Sequence, residues 1–329
     1  MKKYLSALLC LILGFGMLMM ADTATAGIQD RFNLPEPYLG WEKSYLKEFP
    51  DLQKFLEIMI TTTAAQLQNP SEDILHNRVC SALAYEMSKE LPPEKRKLAI
   101  ATDILHNIAK EEKSAVLTDP QVFKQATEMV SELKKAGYFR ASPDFCGDPQ
   151  ILQNAKVGGN RALTHHITGA LKAEQIAKQI GIISEKEIQE MQAAIIEHST
   201  GYWYFRDSVD KAVGKKGAWQ VVFPEPASEI SKIAHDADLI SQFVPESVVP
   251  DGSKWRELAK KRWGAKNTKE EGHIVYYVFF RLFEEAKTKK GKEMAREKWE
   301  IIRPELMKLM NLELGQDPIK VLGVPAVFQ

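Results

Sequence analysis

Apolar residues recur at helical spacing along most of the chain, and no stretch alternates between apolar and polar residues strictly enough to predict a strand. One apolar face consists of His76, Val79, Cys80, Leu83 and Met87. It predicts a helix that starts after the N-cap candidate Asn69 and carries His76 on the stripe facing the core. A histidine at such a position is more often a satisfied core residue than a metal ligand, so its meaning depends on its neighbours.

Capping residues, prolines and glycines predict where the helices begin and end. The predicted helices cover about 51–67, 70–91, 93–110, 119–137, 161–180, 184–198, 228–243, 253–263, 269–287 and 292–312, the last kinked or interrupted near Pro304. Residues 27–41 read as an extended lead-in, and residues 138–159 as a surface loop near the site. The aromatic stretch 201–226 is either a loop held by buried rings or the wall of a substrate pocket. We therefore predict an all-α fold, with ligand side chains projecting inward from several helices.

The first 26 residues differ in character from the rest. Lys2 and Lys3 precede an apolar run at 4–20, and alanines at positions 24 and 26 form a small-x-small cleavage pattern. We interpret residues 1–26 as a secretory signal peptide cleaved before Gly27, which predicts a periplasmic or secreted protein. The alternative is an uncleaved N-terminal membrane anchor, because the run approaches the roughly 18 residues at which a span becomes plausible.

The composition is that of an ordinary globular protein, with 44% hydrophobic and 27% charged residues in a chain of 329. This length allows one large domain or two modest ones. Basic and acidic residues both number 44, and a net charge near zero argues against a nucleic-acid partner. Cys10 leaves with the signal segment, and we expect Cys80 and Cys146 to be small apolar residues rather than a disulfide.

Histidine changes this picture, because imidazole is the commonest protein ligand for transition metals. Six of the 7 histidines fall between positions 76 and 235. The apolar run 98–110 ends with the adjacent pair His106-Asn107. Asp103 lies three residues before His106 and hence on the same face of the predicted helix. These positions invite a search for partners elsewhere in the chain.

The order of the candidate residues resembles that of the HD-domain metal-dependent phosphohydrolases, whose motif runs His, His-Asp, His, His, Asp. The matching positions here are His76, the pair His106-Asn107, His165, His198 and Asp238. The resemblance covers most of residues 71–312. Its local context favours His165 over His166, because Gly169-Ala170 follows at the family spacing. The chain departs from the pattern at Asn107, where the family has an aspartate.

The resemblance implies an all-α, HD-like helical bundle with additional C-terminal helices and a divalent metal centre. The centre would contain one or two ions, with manganese, iron, zinc, cobalt, nickel or magnesium as candidates. The implied ligands are His76, His106, Asp238 and position 107 for the first ion, and His165 and His198 for the second. His166, His235 and Asp236 are then expected beside the ligands or on the surface, and His273 is expected to be structural.

Asn107 weakens the implied centre, because a neutral amide offers one good oxygen and no charge. Asp103, one helical turn back on the same face, is a candidate to compensate. Lys110 matches a family position that often carries a lysine or a small residue. It is a candidate catalytic residue that steadies a phosphate, and the alternative is that it only extends from the helix end to solvent.

The resemblance also implies a division into a lead-in and packing helix at 27–69, an HD-like domain at 70–245, and C-terminal helices at 246–329 packed on that domain. The implied function is hydrolysis of phosphomonoesters or nucleotides through a metal-bound water. The expected partner is a small phosphorylated substrate or a nucleotide, with no nucleic acid and no membrane contact beyond the signal segment. The alternative is a catalytically impaired HD scaffold that binds a metal, a nucleotide or a protein. A di-iron oxygenase is disfavoured, because it depends most on the aspartate that in the family bridges two metals, and this chain has Asn107 at that position.

Overall fold

The computed structural model describes residues 34–110, 119–140, 164–199, 224–242 and 254–329. Within these ranges every regular element is a helix, which confirms the predicted all-α class. The helices are α1 (Tyr38–Glu48), α2 (Leu52–Gln66), α3 (Ser71–Met87), α4 (Pro93–Leu105), α5 (Pro120–Lys135), α6 (His165–Ile180), α7 (Glu185–Glu197), α8 (Glu229–Ser241), α9 (Lys254–Trp263), α10 (Thr268–Glu284), α11 (Lys289–Leu309) and α12 (Pro318–Leu322). A short 3₁₀ turn, Ala326–Phe328, follows.

Helix α4 lies at the centre of the bundle. It packs against α2, α3, α6, α7 and α8, and every residue from 98 to 109 is buried. A helix that is covered all round must be apolar all round, which is why this stretch carries almost no polar residue except those near the candidate site. Helix α4 ends at Leu105, and residues 106–109 continue as turns. The predicted extension of this helix to Lys110 is therefore wrong by one turn.

Most helix starts follow local capping chemistry. Ser184 and Glu187 form the predicted capping box, and Asp119 accepts from the backbone N–H groups of the first turn of α5. The predicted cap at Asn69 is wrong, because α3 begins at Ser71 with Pro70 in the cap position and no side-chain cap bond. Helix α11 runs without interruption through Pro304.

The extended lead-in predicted at 27–41 is wrong from Tyr38 onward, where helix α1 begins. Its place is fixed by partners far away in the chain. Arg78 of α3 donates to both carboxylate oxygens of Glu42 at 2.9 and 2.6 Å, and both side chains are buried. Tyr45 and Ser81 share a further buried hydrogen bond of 3.2 Å. A buried charge pair of this kind fixes one register between two helices.

The C-terminal helices are attached to the bundle through Asp236 of α8. Its carboxylate accepts from the backbone N–H groups of Lys287 and Thr288 at 2.8 and 2.7 Å, and from the Thr288 hydroxyl at 2.7 Å. Thr288 in turn caps α11, and Gly291 of the first turn lies against the same carboxylate. Negative charge at a helix N-terminus is favourable, so this contact stabilises the junction.

Several predictions fall on residues outside the described ranges. These are the signal segment 1–26, Cys10, Cys146, most of the loop 138–159 and most of the aromatic stretch 201–226. Cys80 lies within α3 as a buried free thiol. Among the helices of the described ranges, none combines the length and the apolar character that crossing a membrane requires.

Replacing Gly291 by alanine should destabilise the protein, because the added Cβ would lie 2.1 Å from Asp236 Oδ2 and 2.7 Å from Thr288 Oγ1. We expect the free energy of unfolding to fall by about 2 kcal/mol or more, as for overpacking of a buried position. Gly315→Ala is the matched control, since no atom lies within 4 Å of its added Cβ. Urea denaturation measures both variants, and equal stabilities would contradict the proposed attachment of α11.

Candidate metal centre

The candidate ligands lie within or at the ends of five helices and meet at one place. His76 lies within α3 and Asp238 within α8, whereas His106 and His198 directly follow α4 and α7, and His165 begins α6. All five side chains are buried or nearly so. Residues that are up to 162 positions apart in sequence, from 76 to 238, thus share one site.

The first cluster centres on His76. Its Nε2 atom lies 3.1 Å from Asp238 Oδ1 and 3.2 Å from His106 Nε2, and Asp238 Oδ1 lies 3.9 Å from His106 Nε2. With the Cys80 thiol, these groups offer ligand atoms that all lie within 4.8 Å of one another. Imidazole, carboxylate and thiolate are the ligands of transition-metal sites, so the cluster could hold a metal ion.

The orientation of His106 and His198 follows from the helix ends at which they lie. The last carbonyls of a helix have no partner within it. His106 Nδ1 donates to the carbonyl of Asp103 at 2.7 Å, and His198 Nδ1 donates to the carbonyl of Ile195 at 2.6 Å. Each bond places the ring proton on Nδ1, which leaves the Nε2 lone pair directed into the site, as in metal-binding histidines.

His76 reaches the same tautomer by another route. The hydroxyl of Ser241 donates its only proton to the carbonyl of Asp238 at 2.7 Å. Ser241 Oγ can therefore only accept from His76 Nδ1, which lies 3.1 Å away. Nδ1 of His76 thus carries a proton, and Nε2 is the nitrogen that faces Asp238 and His106.

The separation of these atoms fits a shared cation. Two Nε2 lone pairs that face each other across 3.2 Å repel unless positive charge lies between them, either a metal ion or a proton on one ring. Two nitrogens bound tetrahedrally to one zinc ion at about 2.0–2.1 Å would lie about 3.3–3.4 Å apart. The observed spacing thus suits two ligands of one ion, and Asp238 adds a negative charge beside them.

Cys80 belongs to the cluster but is oriented differently. Its Sγ atom lies 3.7 Å from His76 Nε2 and 4.0 Å from Nδ1 of the same ring. Nearly equal distances place the sulfur beside the ring, not beyond Nε2 where an ion bound to that nitrogen would lie. The thiol also donates to the Ala237 carbonyl at 3.7 Å. Cys80 therefore needs a change of rotamer before it can bind the same ion as His76.

Asn107 lies against His106, the candidate ligand that it follows. Its amide Nδ2 lies 2.8 Å from His106 Nε2, and its Oδ1 has no hydrogen-bond partner within the described part of the chain. Without an ion the amide nitrogen donates to the imidazole lone pair. Rotation of the amide by half a turn would instead turn Oδ1 toward a cation, at no cost in hydrogen bonds to Oδ1.

A second pair of imidazoles lies next to the first. His165 Nε2 and His198 Nε2 are 3.4 Å apart, and the His198 ring lies 4.9 Å from the His106 ring, centroid to centroid. Gly169 permits this approach of α6, because an added Cβ there would lie 3.0 Å from the His106 carbonyl oxygen. Close packing of α6 on the His106 carbonyl therefore explains why a glycine lies at position 169, four residues after His165.

The two predicted catalytic residues have different surroundings. Lys110 Nζ forms an ion pair with Asp73 at 3.2 Å, and its charge contributes to the low pKa values of His165 and His198. Asp103 is fully buried, and neither carboxyl oxygen has a hydrogen-bond partner within the described residues. Its carboxyl is not part of the ligand cluster around His76.

Burial sets the protonation state of the site. It lowers the pKa of His106 and of His165 well below the usual value, and neighbouring imidazoles add to the effect. Burial likewise lowers the pKa of His198 to about 4. Burial by itself would raise the pKa of Asp238, but contact with His76 and the nearby imidazoles hold it well below its ordinary value. His106, His165 and His198 are thus held neutral and Asp238 is held as a carboxylate, the forms that bind metal.

His166, His235 and Asp236 are buried, which corrects the option of a surface position for them. His166 and His235 are 0% and 3% exposed, and His235 Nδ1 donates to Asp236 at 3.0 Å. His273 Nε2 donates to the Gly323 carbonyl at 2.9 Å, far from the site in the sequence and in keeping with a structural role.

Sequence reasoning missed Cys80 and Ser241 as members of the site. For Cys80 a signal existed, because it lies four residues after His76 on the same helical face. Ser241 gave no signal, since its role depends on the packing of α8 against α3. Comparison of the chain with protein-family models, with curated proteins and with solved structures gave no match.

The low pKa of His198 predicts a dependence of stability on pH. Between its folded value of about 4 and an unfolded value of about 6.5, only the unfolded chain binds the proton, so His198 lowers stability as the pH falls through this window. His198→Asn keeps a donor for the Ile195 carbonyl but cannot titrate. In metal-free protein, we expect the variant to lose less stability than the wild type between pH 7 and pH 4, by on the order of 2–3 kcal/mol. The free energy of unfolding is measured by urea denaturation at each pH. An equal loss in the two proteins between pH 7 and pH 4 would contradict the prediction.

Proposed function

We propose that the protein is a metal-dependent phosphohydrolase that acts on phosphomonoesters or nucleotides. The observation that carries the proposal is the convergence of His76, His106 and Asp238, with separations of 3.1, 3.2 and 3.9 Å between their ligand atoms. Their order along the chain resembles the HD pattern. The presence of His165 and His198 beside them, in the same order, supports the same family.

The residues have separable roles in this proposal. His76, His106 and Asp238 would hold the cation, which when bound supplies Lewis-acid activation of water and of a phosphoryl oxygen. Hydrogen bonds from Nδ1 of His106 and His198 to helix-end carbonyls keep both rings in the neutral, ligand-competent tautomer. These bonds orient the site before any substrate arrives.

The substrate class follows from the charges next to the cluster. The charge of Lys110 is close enough to His165 and His198 to lower their pKa values. Its ion pair with Asp73 holds the ammonium group in one place. A cation at the His76 cluster together with Lys110 would favour an anionic ligand such as a phosphoryl group. His165 and His198 would either contact that group or hold a second ion.

The contact of Asn107 with His106 favours a second candidate function. The amide nitrogen lies 2.8 Å from His106 Nε2, on the lone pair that a metal would need. A protein that keeps this hydrogen bond would be a catalytically impaired HD scaffold, which binds a metal, a nucleotide or a protein partner without turnover. The two candidates differ in a single residue and can be separated by replacing it.

Asn107→Asp should raise phosphate release by about 10-fold or more, because it restores a negative charge and a second anionic oxygen at the centre. The measurement is phosphate release from a panel of phosphomonoesters and nucleotides, each with manganese, iron, cobalt, nickel, zinc or magnesium. His76→Ala should abolish turnover in the same panel.

Asn69→Asp is the matched control, since it makes the same change of charge at an exposed position outside the site. It should leave turnover at the wild-type level. Absence of phosphate release from every ester with every metal, in the wild type and in Asn107→Asp alike, would overturn the hydrolase proposal. Turnover in Asn107→Asp alone would favour the impaired scaffold.

A further inference from the structure

The outer face of the C-terminal helices carries a groove that shares no residue with the candidate metal centre. Helices α10 and α11 follow each other in the chain and pack side by side. A cavity of about 410 Å³ lies along their seam, and this volume falls within the range of small-molecule sites. Its lining residues recur at spacings of three and four on both helices, so the groove follows the line along which the helices pack.

Three aromatic rings form the walls of the groove. Phe280 and Phe283 come from α10 and Trp299 from α11, and all three are only partly buried. The Trp299 ring lies 5.2 Å from Phe283 and 5.0 Å from Tyr276, centroid to centroid, so contacts between the two helices hold it in place. Ala295 also lines the groove, one turn before Trp299, and the small size of its side chain leaves room for a ligand.

Two cations lie at the rim of the groove. Lys292 and Arg296 are one turn apart on α11, and both are exposed. Neither side chain forms a hydrogen bond or an ion pair with a residue in the described part of the chain. Glu284, the acid of the lining, lies 3.7 Å from the guanidinium of Arg281. The rim therefore has an excess of positive charge.

The α11 side of the groove is ordered before any ligand binds. Thr288 caps this helix and donates to Asp236 at 2.7 Å, and Gly291 lies against the same carboxylate. Lys292 directly follows this anchored turn, and Ala295 is buried. A surface that is held in advance loses less conformational entropy when it binds a ligand.

The chemistry of the lining indicates the class of ligand. Apart from its charged groups and the Trp299 indole N–H, the described lining has no side chain that can form hydrogen bonds. A nucleotide or a sugar would therefore leave polar groups unpaired there, which is unfavourable. An apolar body with one anionic group suits both parts, since aromatic rings bury apolar surface and Lys292 and Arg296 pair with anions.

We propose that the seam of α10 and α11 binds a small amphipathic anion, a carboxylate with an aliphatic or aromatic body. The body lies against Phe280, Phe283 and Trp299, and the carboxylate pairs with Lys292 and Arg296. From Lys292 to Trp299 the groove spans about 10 Å along α11, which suits a ligand of medium length. This site does not depend on the metal centre or on the proposed hydrolase activity.

Calorimetric titration of the whole protein with decanoate, below the concentration at which decanoate forms micelles, tests the proposal. We expect one saturable site per chain. The double variant Lys292→Gln, Arg296→Gln should bind decanoate about 10-fold or more weakly, because the carboxylate loses its charged partners. Lys269→Gln, Lys308→Gln is the matched control, since it makes the same change of charge at exposed positions of the same two helices outside the groove. It should bind decanoate as the wild type does.

Other probes separate this ligand class from its alternatives. Decyltrimethylammonium has the same chain with a positive head group, and it should bind at least about 10-fold more weakly than decanoate. Ala295→Met narrows the groove and should weaken decanoate binding, with urea denaturation to verify that each variant is folded.

Three results would overturn the proposal. The first is an absence of saturable decanoate binding, or equal affinity for decanoate and decyltrimethylammonium. The second is an unchanged decanoate affinity in folded Lys292→Gln, Arg296→Gln. The third is tighter binding of AMP, or co-sedimentation with phosphatidylglycerol vesicles, that is lost in this double variant, because it would assign the cations to a nucleotide or to a membrane surface.

Discussion

The structure of the site depends on one kind of hydrogen bond, from the Nδ1 of an imidazole to a carbonyl at the end of a helix. His106 and His198 each satisfy a carbonyl three residues back, at 2.7 and 2.6 Å, and each thereby fixes its own tautomer. The bond solves two problems together, because helix-end carbonyls need donors and metal-binding imidazoles need a held Nδ1 proton. The residues directly after α4 and α7 thus end their helices and contribute imidazoles to the site.

The polar groups of the site can be buried because the central helix α4 is otherwise apolar and packs against helices around it. Helix α4 is surrounded by five helices, and Gly169 lets α6 approach the carbonyl of His106 to within van der Waals contact. This burial lowers the pKa values of His106, His165 and His198, so these rings stay neutral and each keeps a lone pair that a cation can use. The same burial leaves Asp103 and Asn107 with oxygen atoms that no described residue satisfies.

An element could be predicted from the sequence when the contacts that define it are close together along the chain. Helix α7, which has a capping box, and helix α3, which has a regular apolar stripe, could be predicted from local sequence, and so could the all-α class. Helix α1 could not, because its register depends on the ion pair of Glu42 with Arg78, 36 residues away. The candidate ligands were predicted from their order along the chain. The role of Ser241 and the orientation of Cys80 required the packing of α8 on α3, which no local pattern encodes.

Asp236 gives the C-terminal helices a direct connection to the site. It lies two residues before Asp238 on α8, and its carboxylate accepts the backbone N–H groups that precede α11. The same short segment of α8 therefore holds the start of α11 through Asp236 and carries the candidate ligand Asp238. A mutation that removes the bonds from Lys287 and Thr288 to Asp236 would therefore act on the same turn of α8 that carries Asp238.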